Sequence, residues 1–168
     1  REFFGFTPEQ IEVLIHPESL VHALVAYCDG GMIAHVGPPD MRHAIGHAMY
    51  WPERYALPVE QLDLAAVGQL NFREPDLQRY PVLRLAREVM EERGFSGAIF
   101  NAAKERALDH FIAGHIGFCD MCDVVEEVLA RLSSEDSLTS AGFTLETVLE
   151  ADHLARTRAD DVVSERTR

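Results

Sequence analysis

The stretch LVHALVAYCDGGMIAHVGPPDMRHAIGHAMYWP, Leu20 to Pro52, changes its apolar period once, and that change decides the fold class. Leu20 to Tyr27 and Met32 to Val36 are β-branched or apolar runs bounded by turn-forming residues, which reads as two strands. Asp29-Gly30-Gly31 between them is hairpin chemistry, because glycine accepts the positive φ of a tight turn, so the strands are expected to pair antiparallel. After Val36 the spacing turns helical. Met41, Ile45, Ala48 and Met49 share one face, Asp40 stands where an N-cap is wanted, and Pro52 closes the element.

Working outward, Ile11 to Ile15 upstream reads as a third strand. Downstream, Glu53 to Arg79 carries Pro58 and Pro75 with weak patterning, apart from a short strand candidate at Val67 to Phe72, and reads as a linker. Apolar stripes at helical spacing then follow one another. Val82, Leu83, Ala86, Val89 and Met90 form the first, stopped by Gly94. Ile99, Ala103, Ala107, Leu108 and Phe111 form the second, and Val124, Val125, Val128, Leu129 and Leu132 the third. The fourth runs from a Thr144 cap through Val148, Leu149, Ala155 and Ala159. The expected fold is α+β, a small, mostly antiparallel sheet with flanking helices followed by a C-terminal four-helix bundle. Ser133 to Gly142, SSEDSLTSAG, is a low-complexity loop, and no internal repeat is visible.

The chain has 168 residues, 47% of them apolar, enough to bury a core. Its 28 acidic and 15 basic residues give a net charge of −13, with no Lys/Arg cluster to neutralise a phosphate backbone or an anionic bilayer. Neither nucleic acid nor membrane is an expected partner. No apolar run approaches the roughly 20 residues of a membrane span, REFFGF is unlike a signal peptide, and a cytoplasmic location is expected. Cys28, Cys119 and Cys122 are expected to be reduced thiols.

Cys119-Asp120-Met121-Cys122 is a CxxC with His115 just before it, but no second ligand pair follows at finger spacing, so zinc is not expected. The two cysteines read instead as the start of the third helix, one near its cap and one partly buried. A redox pair lacks its βαβ context. His43 and His47 are four apart on the expected helix, yet HAIGH lacks the glutamate of HExxH and a third ligand, which leaves surface histidines. His22 interrupts an apolar strand beside Leu20 and Leu24, and from the residues alone reads as a satisfied core histidine. Trp51 reads as a packing anchor, and Arg42 beside Asp40 as structural. With no GxGxxG, phosphate loop or GxSxG elbow, these residues alone do not make an enzyme.

The run IEVLIHPESLVHALVAYCDGGMIAHVGPPDMRHAIGHAMYWPERY, then LDL, a Phe-x-x-PD segment with RYPVLRLA, FNAAKERAL and LEADHLAR, resembles the C-terminal half of the 1-deoxy-D-xylulose 5-phosphate reductoisomerases over nearly the whole chain. IHPxSxxH, GxPDMR and RYPxLxLA are the most specific parts, and Lys104 departs from the family's usual Asn. The resemblance implies a part of an enzyme that converts 1-deoxy-D-xylulose 5-phosphate to 2-C-methyl-D-erythritol 4-phosphate with NADPH and a divalent cation, Mg or Mn, in non-mevalonate isoprenoid synthesis. Residues 1–57 would be the remainder of the central catalytic and dimerisation domain, 58–79 a linker and 80–168 the C-terminal bundle. REFF would end a helix whose preceding turns carry a metal-binding glutamate and phosphate contacts, with the nucleotide domain, further acidic ligands and lid loop also upstream.

Ser19, His22, Pro39 and Met41 match family positions that line the active site. No residue here is assigned as catalytic, cofactor-binding or metal-ligating, and the chain alone is expected to bind neither NADPH nor metal and to be inactive. The resemblance further implies a phosphorylated sugar as substrate and a homodimer formed through the sheet region. The competing expectation is a free-standing, non-catalytic dimerisation or interaction module.

Overall fold

The computed structural model describes residues 4–133 and 142–166. The first three residues of the expected helix end at REFF and most of the expected low-complexity loop therefore lie outside the described residues. The chain divides into two units, one of residues 12–75 and one that joins the described residues before 12 to those from 76 onward.

In the first unit, strands β1 (Val21–Ala26) and β2 (Met32–Val36) pair antiparallel with Leu24 opposite Ala34. Their connection is wider than the expected tight turn. Tyr27 N–H donates to Gly31 O, only Gly30 has positive φ, and the Asp29 carboxylate accepts Gly31 N–H at 2.8 Å. The side chain of Asp29 thus organises what a second left-handed glycine would otherwise shape. The strand expected at Ile11 to Ile15 contracts to a single bridge between Ile15 and Arg73. Pro17 follows closely and the preceding residues join no ladder, which leaves Val13 and Leu14 exposed.

The strand candidate at Val67 to Phe72 is also replaced. Asp63 accepts the N–H groups of Ala65 and Ala66 and so starts a single helical turn, α2 (Leu64–Val67), which Gly68 ends at φ 72°. Helix α1 (Arg42–Tyr50) begins one residue later than expected, with Met41 rather than Asp40 at the cap position. Asp40 still accepts Arg42 N–H at 2.9 Å. Gly46 is the one buried residue of α1, and Leu57 lies so close that a Cβ there would meet its Cδ2 at 2.7 Å. Trp51 does not anchor a core, being 73% exposed.

Leu24, Val25, Met32 and Ile33 of the hairpin and Met41, Ile45 and Met49 beside and on α1 are likewise exposed. Two strands with both faces open are marginal alone.

The second unit holds a 3-10 turn at Pro8–Gln10 and helices α3 (Pro81–Glu92), α4 (Ser96–Ile112), α5 (Asp120–Ser133) and α6 (Leu145–Arg166). Ala102, Ala103 and Ala107 of α4 and Ala151, Ala155 and Ala159 of α6 are fully buried, so small side chains let these two helices approach closely. Val124, Val128 and Leu132 of α5 complete the core. Ion pairs cross between helices outside it: Arg84 to Glu126, Arg156 to Glu105 and Arg131 to Glu165.

Thr144 Oγ1 accepts Thr147 N–H at the start of α6, the cap expected there. The stripes shift in detail. Leu85, not read as apolar-face, is buried on α3, whereas Leu108 and Leu149 are exposed. The α+β class and the run of helices after the sheet stand as expected. Among the described residues no helix is long and apolar enough to cross a membrane.

Candidate functional site

His22 occupies a β-bulge. Val21 pairs with Val36 but Ala23 with His35, so His22 is the extra residue, and a bulge re-aims the side chain it carries. The imidazole is exposed rather than part of a core. Its Nε2–H donates to the carbonyl oxygens of Gly37 at 3.0 Å and Pro38 at 3.3 Å. Two carbonyl acceptors require that nitrogen to carry the proton, which leaves Nδ1 as an acceptor. The Gly37 N–H donates in turn to Leu20 O at 2.9 Å. The loop that carries Pro39 and Met41 is thus tied from both sides to the start of β1.

Pro39 and Met41 are exposed on that loop, Met41 at 71%. Between them, the Arg42 guanidinium, helped by the Arg42 backbone N–H, brings the Asp40 carboxyl down to about 2. Arg42 is structural, as expected.

Ser19 is exposed and has φ 53°, a left-handed conformation that a serine holds only when its surroundings impose it. Those surroundings are a network absent from the sequence reading. His16 Nδ1–H donates to Asn71 O at 2.8 Å and lies 3.0 Å from the Glu18 carboxylate, and the His16 ring stacks on Phe72 at 4.6 Å. Glu18 accepts both the side-chain and the backbone N–H of Asn71, and the side-chain bond does most to hold its carboxyl below the ordinary value. Ser19 N–H donates to His16 O. The backbone N–H of Ser19 therefore goes to this network, while His22, on β1, bonds the loop that carries Pro39 and Met41. HPES sets His16 and Glu18 two residues apart, a spacing that lets them meet, but nothing local points to Asn71, 53 residues from Glu18.

His43 and His47 differ from the surface pair expected. They are half-buried and line a cavity of about 540 Å³ with His35, Trp51 and Arg54. His43 Nε2 and His47 Nδ1 are buried without a hydrogen-bond partner. Even so, among the described residues no group of three or more His, Cys, Asp or Glu side chains is placed to hold a metal. Cys119 is exposed just before α5, and Cys122 lies half-buried against the bundle core, where burial pushes its thiol up. Both are free thiols.

The family described as DXP reductoisomerase C-terminal domain matches residues 36–158, most of the chain. The chain belongs to the DXP reductoisomerase C-terminal domain family. Among DXP reductoisomerases, it is 65% identical over 167 residues to the 1-deoxy-D-xylulose 5-phosphate reductoisomerase of Ruegeria sp. (strain TM1040), and 63% identical over 166 residues to that of Ruegeria pomeroyi. Each comparison covers 99% of this chain and 42% of the relative.

Solved DXP reductoisomerase structures agree. The Zymomonas mobilis enzyme in complex with NADPH matches with a TM-score of 0.84 at 37% identity, over 96% of this chain and 41% of that one. A DOX-P reductoisomerase with fosmidomycin and magnesium matches with a TM-score of 0.87 at 34% identity, over 98% of this chain and 42% of that one. The chain spans less than half the length of these DXP reductoisomerases.

Proposed function

We propose that this chain is the C-terminal part of a cytoplasmic, NADPH-dependent reductoisomerase that converts 1-deoxy-D-xylulose 5-phosphate to 2-C-methyl-D-erythritol 4-phosphate for non-mevalonate isoprenoid synthesis. The observation that carries the reading is the bond from His22 to the Gly37–Pro38 backbone, because it joins two family motifs into one feature. On this reading Ser19, His22, Pro39 and Met41 line the substrate pocket. Their work is positioning. His22 fixes the loop and keeps Nδ1 free as an acceptor, while Pro39 and Met41 give a stiff apolar wall that excludes water from a polar sugar.

When bound, NADPH supplies the hydride and the divalent cation polarises the sugar oxygens. The described residues do not fit that cation, since no trio of suitable ligands converges. Its ligands and the nucleotide cradle are therefore assigned to the part of the relatives' length that this chain does not span. Residues 1–57 are read as the remainder of the catalytic and dimerisation domain, 58–79 as the linker and 80–168 as the bundle. The open apolar faces of the hairpin support pairing with a second copy through the sheet.

The test is NADPH oxidation with the phosphorylated ketose and Mg²⁺. A full-length protein that contains this chain should turn over and the chain alone should not. Chelator-sensitive turnover by the chain alone, or none by the full-length protein, overturns the reading.

A further inference from the structure

The end of α4 carries a histidine pair for which the proposed reaction has no use. His110 lies in the last turn of α4 with its side chain only 14% exposed, and both ring nitrogens are engaged. Nε2 is 2.6 Å from Asp160 Oδ1 on α6, and Nδ1 is 3.0 Å from Nδ1 of His115, in the loop that leads to α5. The His115 N–H also donates to His110 O at 2.9 Å, so backbone and side chain both fold this loop onto the helix end. The charged groups that face the pair are Asp160 from α6 and Arg106 and Asp109 from α4. Arg106 Nε donates to Asp160 Oδ1 at 2.7 Å and its Nη1 reaches Asp109. Burial pushes the Asp160 carboxyl up, but the bonds from Arg106 and His110 outweigh it and hold it below its ordinary value.

Proton counting then restricts the pair. An ionised Asp160 only accepts, so His110 presents Nε2–H to it, and a neutral His110 has Nδ1 as an acceptor. His115 must therefore present Nδ1–H. One added proton fits: at His115 Nε2 it leaves the Nδ1–H to Nδ1 bond as it stands, and at His110 Nδ1 it fits if His115 moves its own proton to Nε2 and the bond reverses direction. A second added proton does not fit, because two N–H groups would then face each other across 3.0 Å.

We infer that His110 and His115 form a proton-sharing pair, anchored by Asp160, that fastens the loop between α4 and α5 to the end of α4 and releases it when both rings are protonated. Because Phe118 of the same loop packs edge-on against Phe111 at 5.8 Å, release also loosens that aromatic contact.

Long-range ¹H–¹⁵N spectra of histidine-labelled protein, from about pH 8 down to about pH 5 where histidines titrate, test the inference. At the upper end His115 should be the Nδ1–H tautomer and His110 the Nε2–H tautomer. On acidification, exchange of the amides of residues 114–118 should rise as the pair opens. His115 is exposed, so His115→Ala should fold and should raise exchange of these amides already at the upper pH, with no further rise on acidification. Two Nε2–H rings at neutral pH, or exchange of these amides unmoved by acid and by His115→Ala, would overturn the pair.

Discussion

The Nε2–H of His22 donates to the carbonyl oxygen of Gly37 at 3.0 Å, so an imidazole at the start of one strand holds the loop that leaves the end of the other. If that loop borders the substrate, removing the donor should loosen the pocket without touching a core. His22→Phe keeps a ring and loses the N–H. In the full-length enzyme it should lower kcat/KM by about 1 kcal/mol, roughly fivefold, with melting nearly unchanged. His22→Gln, whose amide can reach the same carbonyl, should recover part of the loss. Unchanged kinetics with a lowered melting point would make His22 purely structural.

The bundle core makes a sharper energetic claim. Leu132 is 1% exposed and Leu149 60% exposed, although both belong to stripes of similar appearance. Leu132→Ala should cost about 2–5 kcal/mol through lost burial and a cavity. Leu149→Ala should stay within about 0.5 kcal/mol. Denaturant midpoints of the two variants check the difference, and equal effects would refute the packing described for α5 and α6.

Asp40 predicts an acid-range dependence. Its carboxyl is lowered from 3.8 to about 2 in the folded protein. A depressed folded value means that the contribution is fully present above the unfolded value and is lost as pH falls through the folded one. Asp40→Asn should therefore be less stable than the parent at neutral pH, and the gap should close between about pH 4 and about pH 2. A gap independent of pH over that range would show that the Arg42 bond is not its source.

Cys119 and Cys122 should separate by reactivity. The exposed Cys119 thiol should alkylate first, and Cys122, pushed up by burial against the core, should lag. Replacing both by Ser should leave circular dichroism largely unchanged, with a melting loss confined to the half-buried Cys122. Near-equimolar zinc in the purified protein would contradict the geometry, in which no trio of ligands forms among the described residues.

The sequence by itself determined the elements whose periodicity is local. Met32 to Val36 forms a strand with the bounds expected of it, Thr144 caps the last helix, and the turn to helical spacing after Asp40 places α1 to within a residue. Such features follow from side-chain alternation and capping within a few residues, which a short window contains. The IHPxSxxH and GxPDMR motifs singled out His22 and its loop only through the family resemblance; from its neighbours alone His22 read as a core histidine, whereas it stands exposed.

Only the tertiary structure decided what those residues bond to. That His22 stands in a bulge depends on the register of β1 against β2, and one residue of slip moves a side chain between core and surface. Glu18 finds Asn71 across 53 residues and His110 finds Asp160 across 50. The burial of Leu85 rather than its neighbours depends on which helix it meets. A hydrophobic period states that a face is apolar. The neighbour that covers the face, and the acceptor that takes each proton, are properties of the packed chain.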